Sequence, residues 1–145
     1  MNNYLKTLDK LIVEKVFNLP VSTKRQHGQD VFYVKMEDTT EDLFFKVNDC
    51  FATDMGYMTN LAKLERFSSS LQAAFLVVEE LKKSGVHAVV MEYNTFCNDW
   101  ACEIRAENGL FSSTEDGLAL AIVLSALKFK GITEKELDGI ELENS

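Results

Sequence analysis

The run LALAIVLSAL, residues 118–127, constrains the fold most, because it is apolar on nearly every side. It lies in a helix that we predict over residues 114–130, with Ser112 and Glu115 at capping-box spacing and Gly131 at the end. A helix without a polar face has to be covered by more than one neighbour. Because no apolar run reaches the ~20 residues of a membrane span, we expect this helix inside a folded domain.

Apolar stripes at helical spacing predict two further helices. The first covers residues 4–19 and ends before Pro20, which cannot continue a helix. The second covers residues 70–84, with Ser69 and Gln72 at capping-box spacing and lysines near its end. Its stripe is formed by Leu71, Ala74, Phe75, Val78 and Leu81.

Residues 86–93 and 99–106 alternate between apolar and polar side chains and predict two strands. In the second strand, Trp100, Cys102, Ile104 and Ala106 fall on one face, and Ala101, Glu103 and Arg105 fall on the other. We therefore interpret Cys102 as a small buried side chain. Its four-residue separation from Cys97, without a nearby histidine, is not a zinc pattern, so we expect all three cysteines to be free and no metal to bind.

The whole pattern predicts an α+β fold, with residues 1–145 as a single domain. A small antiparallel sheet is flanked by helices in an arrangement like an α/β/α sandwich. An extra β-rich insertion covers residues 21–66, where two strands are predicted on either side of the acidic stretch EDTTED. In the same insertion, STKRQHGQ is interpreted as an exposed loop, and a short helical turn is expected near residues 60–65. An acidic tail, residues 132–145, begins with a short helical turn capped by Thr133 and Glu136.

Charge and motif content exclude several classes of function. The net charge is -8, and the tail from Ile132 has five acids and one base. Direct binding to duplex DNA is not expected, because it requires basic residues that neutralise phosphates. An acidic surface promotes solubility or mimics nucleic acid towards a basic partner. The sequence has no nucleotide-binding glycine motif, zinc-protease motif or nucleophile elbow, so we expect neither an enzyme nor a cofactor.

Three stretches are similar to a known family in sequence and in order: LDKLIVEKVFN, FSSSLQAAFLVVEELKKSG and WACEIRAENGLFSSTEDGLALAIVLSALKFKGI. They resemble the phage α/β/α-sandwich domain proteins over residues 8–18 and 67–132. The insertion departs from the family, which passes quickly from its first helix to the serine-rich start of the second. The resemblance implies a phage-encoded accessory protein in the cytoplasm of an infected bacterium. Some small phage proteins of similar architecture are counter-defence sponges, like the Thoeris anti-defence proteins, which trap cyclic ADP-ribose or cyclic-nucleotide signals.

Two functions follow as alternatives. A sponge for a nucleotide-type signal needs cations for phosphate, an aromatic face for a base and an amide for hydroxyls. Its candidate ligand-binding residues are Arg105, Lys24, Arg25, Tyr93 and Asn94. The alternative is an inhibitor whose acidic tail and acidic hairpin occupy a basic surface of a host defence protein; the hairpin acids are Glu37, Asp38, Glu41 and Asp42. We also expect a homo-oligomer, with Phe44 and Phe51 as candidates for an apolar patch that a second copy covers.

Overall fold

The computed structural model describes residues 3–26, 28–35, 61–63 and 67–144. The helices in these ranges are α1 (Asn3–Lys15), α2 (Leu71–Leu81, followed by a 3-10 turn Lys82–Ser84), α3 (Leu118–Phe129) and α4 (Glu134–Glu143). The strands are β1 (Ser22–Gln26), β2 (Gln29–Lys35), β3 (Leu61–Lys63), β4 (Val86–Asn94), β5 (Asp99–Ala106) and β6 (Gly109–Glu115). None of the helices in this part of the chain has the length and apolar character that a membrane crossing requires.

The strands form two antiparallel sheets of three strands each, in the orders β1-β2-β3 and β4-β5-β6. In the second sheet, Cys102 pairs with Met91 on β4 and with Ser113 on β6. These three side chains therefore lie in one row on the same face of the sheet. The two strands that alternation predicted, over residues 86–93 and 99–106, are confirmed within one residue.

Helix α3 lies at the centre of the domain. It packs on β5 and β6 and is contacted by both α1 and α2, while α1 also contacts α4. Its residues from Ala121 to Leu127 are all buried, as a helix without a polar face requires. The helix layer covers one face of the β4-β5-β6 sheet, and the predicted α+β class is confirmed.

The strand β6 corrects the predicted start of the central helix. The prediction placed Thr114 and Glu115 in the first turn of that helix, whereas both residues pair with β5, opposite Ala101 and Trp100. Alternation explains the difference, because Phe111 and Ser113 turn towards the core between exposed neighbours. The helix begins three residues after Glu115, with Gly117 as its N-cap.

The first helix is also shorter than predicted. It ends at Lys15 rather than at residue 19, and Asn18 adopts a positive φ of 56°. The amide of Leu19 then donates to the carbonyl oxygen of Val13 at 3.1 Å. The chain therefore turns back before Pro20, and Leu19 still packs against the core although it lies outside the helix.

The insertion contains strands where the sequence predicted other structures. STKRQ forms β1 rather than an exposed loop, and it pairs with β2 through a turn at Gly28, whose φ is 78°. Residues 61–63 form β3 rather than a helical turn. The strand predicted over residues 31–36 corresponds to β2, which runs from Gln29 to Lys35. The predicted acidic hairpin at 37–42 and the strand at 43–47 lie outside the described residues.

The cap of α2 gives the first prediction. The hydroxyl of Ser70, rather than that of Ser69, accepts a hydrogen bond from the amide of Ala73. Ser70→Ala should therefore lower the free energy of unfolding by about 1 kcal/mol, because a helix N-cap is lost. Ser69→Ala, which changes the exposed neighbour, should leave it nearly unchanged. Urea denaturation of both variants checks this, and an equal loss in the two would contradict the assignment.

The two described cysteines differ in burial, and we expect them to differ in reactivity. Cys97 is exposed, whereas Cys102 is buried and burial raises the pKa of its thiol to about 11. The neighbouring hydroxyl of Ser125 donates to the carbonyl oxygen of Cys102 at 2.9 Å. Because the thiolate is the reactive form, iodoacetamide at pH 8 should label Cys97 in the folded protein and Cys102 only after unfolding. Peptide mapping by mass spectrometry checks this, and rapid labelling of Cys102 would contradict its burial.

Candidate functional site

Arg105, the first of the predicted ligand-binding residues, lies on β5 next to a carboxylate. Its Nε donates to Oε2 of Glu103 at 2.8 Å, and both side chains are partly exposed. Along the sheet it pairs with Ala88 on β4 and with Leu110 on β6. A phosphate arriving at Arg105 would therefore have to compete with an ion pair already in place.

Tyr93 and Asn94 lie at the other end of the same sheet. Tyr93 pairs with Trp100, and their ring centroids are 5.1 Å apart. The Asn94 side-chain oxygen accepts from the amides of Phe96 and Cys97, at 2.9 and 3.2 Å, so it stabilises the β4–β5 turn. Five positions along β4 separate Tyr93 from the partner of Arg105, which is roughly 17 Å at the usual rise of a strand.

Lys24 and Arg25 belong to the other sheet, on β1. They pair with Val31 and Asp30 on β2, and the guanidinium of Arg25 donates to the carbonyl oxygen of Gly28 at 2.9 Å. The five predicted residues are thus distributed over two sheets, and within the second sheet Arg105 lies far from Tyr93 and Asn94. The structure brings Tyr93 and Asn94 together and does not add Arg105 to them.

A different group of residues forms a small pocket between β6 and α4. Its volume is about 90 Å³. This pocket is more enclosed than two shallow clefts elsewhere on the described surface. Four elements contribute side chains to its lining, namely α1, β6, α3 and α4. The residues are Tyr4, Ser113, Thr114, Glu115, Leu124, Lys128, Glu134, Leu137, Asp138 and Glu141.

Carboxylates dominate the electrostatics of this pocket. Burial, followed by the charges of Glu141 and Asp116, raises the pKa of the Glu115 carboxyl above its usual range, and the Lys128 ammonium opposes the shift. Burial, followed by the same Glu141 and then Glu115, raises the pKa of the Tyr4 phenol to about 12. Two groups on different elements therefore both resist ionisation, first because they are partly buried and second because carboxylates lie close to them.

Lys128 is the cation that lines the pocket. Its ammonium contacts Oε2 of Glu134 at 2.6 Å and donates to the main-chain oxygen of Ser112 at 2.7 Å. It thus connects the end of α3 to the start of α4 and to β6. This contact pairs the Glu134 carboxylate with the ammonium. The carboxylates of Glu115, Asp138 and Glu141 add further negative charge around the pocket.

Sequence reasoning missed this pocket because it assigned the residues other roles. Glu115 was expected in the capping box of a helix, and the acidic tail was expected to contain only a short helical turn. The pattern FSSTE does carry a usable signal, since Phe111, Ser113 and Glu115 alternate as in a half-buried strand. The capping box at Thr133 and Glu136 is confirmed, but it begins a ten-residue helix.

Comparison with models of known protein families finds a match over most of the chain. A family model described as the phage ABA sandwich domain matches residues 10–127. The chain belongs to this family. The resemblance predicted from residues 8–18 and 67–132 is therefore confirmed, and the match also spans the insertion at 21–66.

A solved structure supports the same fold for this phage ABA sandwich protein. The chain is similar to a phage protein from Bacillus cereus, with a TM-score of 0.55 and 14% sequence identity. The match covers 86% of this chain and 84% of the Bacillus cereus protein. No curated protein matches the chain significantly. At this level of identity the structural match shows a shared fold.

The raised pKa of Glu115 predicts a gain in stability for this phage protein on removing its charge. A carboxyl whose pKa is higher in the folded state stabilises the fold when protonated, and this contribution is lost as the pH rises through the folded pKa. Glu115→Gln should therefore raise the melting temperature at pH 7.5 and leave it almost unchanged near pH 4, about the pKa of an unperturbed glutamate. Calorimetry at both pH values, with Glu107→Gln in the exposed β5–β6 turn as a control, checks this. A lower melting temperature for Glu115→Gln at pH 7.5 would contradict it.

Proposed function

We propose that this phage protein acts by binding rather than by catalysis, as an accessory protein in the cytoplasm of the infected host. Its target is a basic surface on a host defence protein, which it occupies in place of nucleic acid. The observation that supports this most is the concentration of carboxylates between β6 and α4, where those of Glu115, Glu134, Asp138 and Glu141 lie around the single ammonium of Lys128 and repel one another. A basic partner would relieve that repulsion on binding.

The surface of α4 extends the negative charge beyond the pocket. The helix carries Glu134, Glu136, Asp138, Glu141 and Glu143 against one lysine, Lys135. Such a surface accelerates encounter with a positively charged partner and makes the interaction sensitive to salt. Residues 134–143 of the acidic tail form α4, whose Leu137 is buried against the rest of the protein, and the helix fixes the spacing of these charges.

Sequestration of a nucleotide-type signal, such as cyclic ADP-ribose or a cyclic oligonucleotide, is the second candidate. Tyr93 and Asn94 favour it, because both line a cleft of about 340 Å³ that could receive a base or a ribose. The same cleft is also lined by Glu92 and Asp99, whose charges oppose phosphate binding. The inhibitor is therefore the better-supported function of the two.

Two variants separate the candidates. The triple variant Asp138→Asn, Glu141→Gln and Glu143→Gln removes negative charge from α4, whereas Arg105→Ala removes the cation proposed for phosphate. We expect a host protein to co-purify with the wild-type chain and with Arg105→Ala, to dissociate in high salt, and to be lost with the triple variant. Calorimetry against cyclic oligonucleotides and cyclic ADP-ribose isomers completes the test. Nucleotide binding that depends on Arg105, with no protein captured, would replace the inhibitor by the sponge.

We also propose that the protein forms a homo-oligomer. The Phe44 and Phe51 side chains first considered for its interface lie outside the described residues. Leu71 and Phe75, four positions apart on α2, are each more than 40% exposed and add apolar surface to the described part. Light scattering should report a mass above that of one chain, and a monomer at high concentration would contradict the proposal.

A further inference from the structure

The pocket between β6 and α4 contains a buried hydroxyl that lacks a hydrogen-bond partner. Ser113 is 8% exposed, and its Oγ has no partner among the described residues. On β6, Ser113 lies on the same face as Phe111 and points towards the helix layer, where it lines the pocket. A buried hydroxyl without a partner costs about 1–3 kcal/mol, so this position favours a ligand that supplies the missing hydrogen bond.

The charges around Ser113 define the sign of that ligand. Four carboxylates line the pocket, those of Glu115, Glu134, Asp138 and Glu141, against the single ammonium of Lys128. Lys128 is already held by Glu134 and by the main-chain oxygen of Ser112. A cation entering the pocket would meet three further carboxylates, and an anion would meet repulsion.

Size and geometry favour an organic cation over a metal ion or a nucleotide. A volume of about 90 Å³ can hold a small cationic group such as a guanidinium and is too small for a nucleotide. Within the described residues, no three His, Cys, Asp or Glu side chains come close enough together to hold a metal ion. A guanidinium has five N–H donors in one plane and can reach carboxylates that are spread apart. Leu124 and Leu137, which are almost fully buried, contribute only a small apolar area to a lining that is mainly polar.

We propose that this pocket binds the guanidinium group of an arginine side chain presented by the partner protein. Ser113 Oγ accepts one N–H donor, and the carboxylates of Glu115, Asp138 and Glu141 accept others. The inference rests on the proposed function, for which it identifies the chemical group that the acidic surface recognises. The pocket thereby supplies a specific anchor within a surface that otherwise attracts any positive charge.

The binding test uses small probes on the full chain. Butylguanidinium should produce saturable shifts in two-dimensional NMR spectra, centred on the amides of Ser113, Thr114 and Glu115, whereas the neutral isostere butylurea should produce none. Ser113→Ala should weaken the binding by about tenfold, since a hydrogen bond to a charged group is lost. Asp138→Asn should weaken it similarly. Glu107→Gln, which changes an exposed carboxylate in the β5–β6 turn outside the pocket, is the control and should retain the wild-type affinity.

Different failures identify different errors. No saturable shift with butylguanidinium, or equal binding of butylurea, overturns the pocket proposal even when a basic protein still binds the acidic surface. Butylguanidinium binding without any protein partner retains the cation pocket and overturns the proposed function. An arginine-containing peptide should bind more tightly than its lysine counterpart and than spermidine. A preference for spermidine would overturn the assignment to a protein side chain in favour of a free polyamine.

Discussion

Replacing Phe67 with alanine is expected to lower the free energy of unfolding by about 3–5 kcal/mol. Phe67 has no exposed surface, and its ring lies 5.6 Å from that of Phe17, centroid to centroid, in a tilted contact. Among the described residues Phe67 is the largest fully buried side chain, and the substitution leaves a cavity beside Phe17. Since a domain of this kind has a total stability of about 5–15 kcal/mol, a large part of it depends on this ring.

Urea denaturation of Phe67→Ala measures the loss. Phe96→Ala provides a matched control, because the same atoms are removed from a ring that is 97% exposed in the β4–β5 turn. We expect the control to lose much less stability than Phe67→Ala. Equal losses in the two variants would mean that Phe67 does not pack as the structure shows.

Removing the Asp9 side chain should have the second-largest effect. Asp9 is buried on α1, and its Oδ1 accepts a hydrogen bond from the buried amide of Ser68 at 2.8 Å. This contact joins the first helix to the segment that leads into α2. Asp9→Ala leaves the Ser68 amide without its acceptor, which should lower the free energy of unfolding by about 2–3 kcal/mol.

Asp9→Asn separates the hydrogen bond from the charge. Asparagine retains a side-chain oxygen that can accept from Ser68, so its loss of stability should be smaller than that of Asp9→Ala. Thermal and urea unfolding of both variants provide the comparison. If asparagine destabilises the protein as much as alanine does, the carboxylate charge rather than the acceptor is what the site requires.

Local patterns in the sequence were sufficient for much of the fold. Alternation located β4 and β5 to within one residue. The strand pairing that places Thr114 and Glu115 in β6 could not be predicted from local patterns. A serine and a glutamate three positions apart suit both a helix cap and a strand that faces the core, and pairing with β5 decides between them.

The candidate site was less accessible from the sequence. Arg105, Tyr93 and Asn94 lie on strands that were predicted correctly, but their separation depends on the register between β4 and β5. The acidic pocket depends on tertiary packing, because Tyr4, Glu115 and Glu141 come from three distant parts of the chain. The spacing of residues along the sequence does not predict that these three side chains lie close together.

The central position of α3 also determines how the protein opens. This helix is covered by the sheet on one side and by α1 and α2 on others, so its amides cannot reach water through the movement of a single neighbour. Amide hydrogens in such a segment exchange with deuterium when the whole domain unfolds. The exchange rate of Ala121–Leu127 is thus a direct report of global stability, against which local opening around α4 can be measured.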